Sequence, residues 1–155
     1  MFNQLKVLAL SALAVSTIAV TSARADAIAD GKKFFAENQC ATCHSLTSKK
    51  APTHTGPALY GVTKRPGRTQ AWMVSWISDP DEMLKKDDLA KKLLKENNNV
   101  PMTAMLKLMT KKADGTPDTE AIKKKAEAIY MFLKDNDSKP EGGAEGAAAA
   151  PKKKG

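Results

Sequence analysis

Cys40, Cys43 and His44 concentrate the reactive side chains of this 155-residue sequence into one short stretch, "NQCATCHSL". They are both cysteines of the chain and one of its two histidines. Zinc asks for four ligands. Counting His54 gives four, but His44 is tied directly to Cys43, and that spacing suits a tetrahedral site badly. An iron–sulfur cluster asks for four sulfurs or close substitutes, and there are two. A thiol–disulfide redox pair asks for a βαβ setting, and no strand pattern appears anywhere in the chain. A structural disulfide between these two would close a very small ring.

The remaining chemistry uses all three residues. Cys-x-x-Cys-His is the attachment sequence for c-type haem. Two sulfurs about one helical turn apart can each add across one haem vinyl group. The adjacent histidine then lies under the iron as its proximal ligand. Composition agrees. Aromatics make up only 5 % of the chain, a thin core for this length unless something flat and apolar fills it.

The elements that must hold this stretch read as helices and loops. Residues 1–25 read as an export leader: Lys6, then the apolar run Val7–Val20 broken only by Ser11, Ser16 and Thr17, then Ala23-Arg24-Ala25 as a cleavage site. The run is short for a bilayer span, which takes about 20 apolar residues. Export places the cysteines in an oxidising compartment, the periplasm. After cleavage no integral membrane span is expected. A first helix is expected over Ala27–Gln39, with Gly31 inside it, and a loop over Ser48–Gly67. Ala71–Ser78 reads as a short apolar helix. Asp79-Pro80-Asp81-Glu82 reads as a capping box opening a helix that runs to Glu96. Thr116-Pro117 opens the last helix, to about Lys134. Residues 26–137 thus form the folded domain, and the Gly/Ala/Pro/Lys-rich segment 138–155 reads as a disordered tail, the bias beginning at Asp135.

These motifs resemble the class I cytochromes c, small monohaem electron carriers, over Ala27–Lys134. "GKKFF" (Gly31–Phe35) is similar to the family's first-helix signature, where the glycine permits close crossing by the last helix. The resemblance implies an all-α class I cytochrome c fold, with helices packed around one covalently attached haem c. It places Gly31 and Phe35 against Tyr130, Phe132 and Leu133. "TGPALYGVTKR" (Thr55–Arg65) is similar to the loop after the haem motif. That likeness implies that the Pro57 carbonyl accepts from the free ring nitrogen of His44. It puts Arg65 where the family often keeps an arginine near a haem propionate, with a solvated surface charge as the other reading.

A carrier of this kind needs a second axial ligand. Six methionines follow the initiator. Met73, Met83 and Met131 fall in expected helices, which leaves Met102, Met105 and Met109. "NNNVPMTAM" (Asn97–Met105) resembles the family's extended ligand loop and implies Met102 as distal ligand, with Met105 as the alternative. His54 reads as a surface histidine.

The implied function is a periplasmic shuttle of single electrons between redox proteins, not an enzyme: no catalytic acid, base or nucleophile stands out. A dedicated haem subunit of a periplasmic oxidoreductase complex is the alternative, and a thiol–disulfide oxidoreductase a remote one. The formal charge of +8 loses Lys6 and Arg24 with the leader, leaving about +6. In an exported protein that charge points to redox partners with acidic docking surfaces, not to nucleic acid.

Overall fold

The computed structural model describes residues 22–141. The apolar part of the expected leader and most of the expected tail lie outside the described residues. Within them the fold is helical. The first helix, α1, covers residues 22–37. A 3-10 turn at Cys40–Thr42 and another at Val62–Lys64 follow. Next come α2 (Gln70–Ser78), α3 (Pro80–Lys86), α4 (Asp88–Glu96), α5 (Met105–Met109) and α6 (Thr119–Ser138). The sole strand-like feature among the described residues is an isolated bridge, Lys111 to Pro117. No described helix is long and apolar enough to cross a membrane.

Helices α1 and α6 cross in close contact at Gly31. A Cβ on Gly31 would sit 1.9 Å from the Ala128 carbonyl oxygen and 2.8 Å from Phe132 Cβ. The missing side chain therefore lets the two backbones touch. One turn on, Phe35 meets Phe132 with ring centroids 5.6 Å apart and planes tilted by 58°. Helix α2 lies on the same long helix. Its Met73, Val74 and Ile77 join Ile122, Ala126 and Ile129 in one buried cluster.

Helix starts follow capping chemistry. Thr69, Asp79, Asp87 and Asp118 each accept from a backbone N–H three residues on, which satisfies one orphan donor at the head of α2, α3, α4 and α6. At Asp79 only half of the expected box forms. The Glu82 carboxylate pairs with Lys85 at 3.0 Å, and the Asp79 N–H closes α2 on Ser75 O.

Besides α1, which covers residues 22–37 where 27–39 is expected, three boundaries differ clearly from the sequence expectation. The helix expected over 80–96 breaks at Asp87, which is extended (φ −108°, ψ 124°), and its carboxylate caps Ala90 N at 2.8 Å. The last helix starts at Thr119 with Asp118 as its cap, because residues 110–118 fold into a tight turn. There Gly115 takes φ +81°, and Asp114 accepts from the N–H and hydroxyl of Thr116. At its far end α6 continues past Lys134 to Ser138, into residues whose composition reads as disordered. Asn136 and Asp137 there are 4 % and 1 % exposed, buried by partners described below.

Candidate haem attachment site

The attachment stretch starts from a left-handed residue. Gln39 takes φ 57°, ψ 26° and turns the chain out of α1 into the 3-10 turn Cys40–Thr42. The N–H groups of Cys43 and His44 both donate to Cys40 O, at 3.2 and 3.0 Å. The two thiols are free and lie one turn apart, Cys40 half-buried and Cys43 exposed. Burial pushes the Cys40 thiol up to about 11, partly offset by a backbone hydrogen bond, with Cys43 adding to the rise. A thiol held that high supplies little thiolate at neutral pH, the reverse of what an attacking redox cysteine needs.

His44 is fixed from behind. Its Nδ1 lies 2.8 Å from Pro57 O. A carbonyl only accepts, so Nδ1 carries the proton and Nε2 keeps the lone pair that bonds a metal. Burial holds the imidazole below its ordinary pKa, the Pro57 carbonyl opposing and His54 and Lys50 adding to the fall. The ring is therefore neutral, the form that ligates. Gly56 is packed against it: a Cβ there would be 2.4 Å from His44 Cε1, 2.6 Å from Nδ1 and 2.9 Å from Cys43 O. No other residue type fits between that ring and the loop.

The loop that carries Pro57 is stitched to the attachment stretch along its length. Gly56 N donates to Cys43 O at 2.9 Å, Leu59 N to Ser45 O at 2.8 Å and Tyr60 N to Thr47 O at 3.3 Å. Arg65 closes it, with Nη2 donating to Ala58 O at 2.9 Å and Tyr60 O at 3.0 Å. Arg65 thus braces the proximal loop, a role the propionate and surface-charge readings both left out.

Cys40, Cys43, His44, Pro57 and Arg65 are therefore brought together in one hydrogen-bonded unit. Met102 lies apart from it in sequence, half-buried in the non-helical stretch between α4 and α5. Met105 opens α5 and is also half-buried, while Met109 is 49 % exposed. His54 is half-buried, not a surface residue, and lines a cavity of about 930 Å³ together with His44.

Arg68 is a residue the sequence reading passed over. Its guanidinium stands 5.3 Å from the Trp72 ring centroid, and Trp72 stacks on Trp76 at 5.6 Å. The Arg68 Nε and Trp72 Nε1 donors are buried without a hydrogen-bond partner among the described residues. Trp72 does stand close enough to Asp87 to help Ala90 N–H hold that carboxyl low, but not in hydrogen-bond geometry. Two free thiols one turn apart and a neutral imidazole presenting Nε2 form a set that fits a covalently attached haem, the sulfurs suiting its vinyl groups and the nitrogen its iron.

A family model described as Cytochrome c matches residues 28–149. Among curated proteins no sequence matches significantly. Among solved structures, "Cytochrome c from Rhodothermus marinus" superposes with a TM-score of 0.53 at 24 % identity, covering 74 % of this chain and 79 % of that one. At that identity the likeness speaks for the fold, and the fold is the same all-α arrangement derived above. With the family model spanning the attachment turn and the helices around it, this chain belongs to the cytochrome c family, and covalently bound haem c is its cofactor.

Proposed function

We propose that this chain is a periplasmic carrier that shuttles single electrons between redox proteins through one haem c. The observation that carries the reading is the His44 ring, pinned by Pro57 beside two thiols with Nε2 left to bind iron. Cys40 and Cys43 hold the haem covalently, and His44 is the proximal iron ligand. Met102 is the distal ligand, and Pro57 and Arg65 order the proximal side. When bound, the haem supplies a one-electron couple. The protein's part is to fix its ligands, exclude water and keep ligand rearrangement small. The leader-like residues 1–25 support export.

Partners with acidic docking surfaces fit the basic mature chain. Electron-transfer rates with an acidic partner should fall as ionic strength rises, because salt screens the charge that speeds encounter. Stopped-flow mixing from low to high salt measures this. The chain also leaves apolar side chains exposed at Val100 (46 %), Leu108 (58 %) and Met109 (49 %). They favour the second reading, a haem subunit held permanently in an oxidoreductase complex. Rates that stay flat with salt, together with co-purification of a stable partner from the periplasm, would replace the shuttle by that subunit.

A further inference from the structure

The end of α6 grips the proximal loop at both of its ends, at Leu46 and at Gly61–Thr63. Asp137 is 1 % exposed. Its Oδ1 accepts from Gly61 N at 2.7 Å, and its Oδ2 accepts from Thr63 N at 2.7 Å and Thr63 Oγ1 at 2.6 Å. Lys64 Nζ donates to the Asp137 backbone carbonyl. The neighbouring Asn136, 4 % exposed, donates from Nδ2 to Leu46 O at 3.1 Å. Tyr60 Oη donates to Lys139 O at 2.9 Å. One helix terminus therefore holds both strands of the loop: Leu46, two residues after His44, and Gly61 and Thr63, beyond Pro57.

A buried carboxylate with three short donors is a costly arrangement unless all are kept, since losing one leaves a buried group unsatisfied. Its donors also sit where the loop's register is set. Gly61 has φ +73° and opens the 3-10 turn at Val62–Lys64. Arg65, at the end of that turn, bonds back to the carbonyls on either side of Leu59. Movement at 61–63 is transmitted through this braced segment to Pro57 and so to the His44 Nδ1 bond.

We propose that the end of α6 is a clamp on the proximal ligand, with Asp137 as the positioning residue that keeps the Pro57 carbonyl on His44. The proposal rests on the reading of His44 as the iron ligand. An intact clamp makes His44 a stronger donor, because a hydrogen bond from the far ring nitrogen raises ligand basicity. A loosened one favours reduced iron.

The test uses the full-length holoprotein, reduced so that it is diamagnetic, and follows exchange of the His44 Nδ1–H by NMR. Thr63→Val removes one donor to Asp137 without changing charge. Asp137→Asn leaves one backbone N–H without an acceptor. Ile122→Val, in the core away from the loop, supplies a comparison for lost stability alone. Exchange should speed up several-fold in Thr63→Val and about tenfold in Asp137→Asn, the size expected for loss of a bond to a charged group. The potential should rise in the neutral Thr63→Val as well, which Asp137's own charge would not explain. Ring-proton exchange and potential that change no more than in Ile122→Val would make Asp137 a purely structural tie and overturn the clamp. Should Asp137→Asn fail to mature, Thr63→Val alone decides. Wild-type protein that keeps no haem after denaturation would instead sink the cytochrome reading itself, independently of the clamp.

Discussion

With Met102 as the proposed distal ligand, Met102→Ala should lower the reduction potential by on the order of 0.1 V and open the iron to external ligands. The thioether sulfur is soft and stabilises reduced iron, and axial ligands together set haem potentials over about 0.8 V. Each ~59 mV of fall in this one-electron couple is a tenfold shift toward the oxidised form. The setting of Met102 suits a ligand. Asn98 and Asn99 both turn the chain through left-handed backbone, at φ 57° and 58°, just before it. Pro101 then restricts the approach, and the side chain lies in non-helical backbone, half-buried. Met105→Ala should leave the potential near wild type and the iron closed to cyanide and carbon monoxide. If Met105→Ala opens the iron and Met102→Ala does not, Met105 is the ligand. If neither does, the distal ligand is His54 or Met109.

Gly31→Ala gives the second large effect, and its sign is diagnostic. In an uncrowded helix interior, alanine would stabilise the chain by about 1 kcal/mol over glycine. Here the new Cβ would lie 1.9 Å from the Ala128 oxygen and 2.5 Å from its carbonyl carbon. Both atoms belong to the backbone of α6, so no rotamer relieves the overlap. The helices must separate, and the Phe35–Phe132 contact loosens with them. Overpacking of this kind costs roughly 1–3 kcal/mol and occasionally more. It should sit at or above the top of that range here, a large share of a domain's ~5–15 kcal/mol. Guanidinium unfolding of the holoprotein measures it. A midpoint equal to or above wild type would show that α1 and α6 do not approach this closely.

The site was more legible in the sequence than the frame around it. Cys40, Cys43 and His44 are adjacent in the chain, so their spacing alone carries the chemistry. The Pro57 contact came from the resemblance, and the structure reproduces it at 2.8 Å. The break at Asp87 was there to be read: Lys85-Lys86 at a helix end followed by Asp87-Asp88 at a helix start is the charge order that helix dipoles favour. Leu89, Leu93 and Leu94 continued the apolar pattern across it and hid the cap. Asp114-Gly115 likewise signals the turn that delays α6. The clamp had no such signal. Asn136 and Asp137 lie in a polar run whose composition reads as solvent-exposed, and their partners are more than 70 residues away in the chain. Only tertiary packing buries them.

The central claim is covalent haem at Cys40 and Cys43. The direct measurement is haem staining of the exported protein on a denaturing gel, beside the variant with both cysteines replaced by alanine. Thioether bonds survive denaturant, so the wild-type band should stain for haem at the position of the polypeptide. The double variant should carry no stain there. A wild-type protein that folds without colour and shows two reactive thiols would contradict the account.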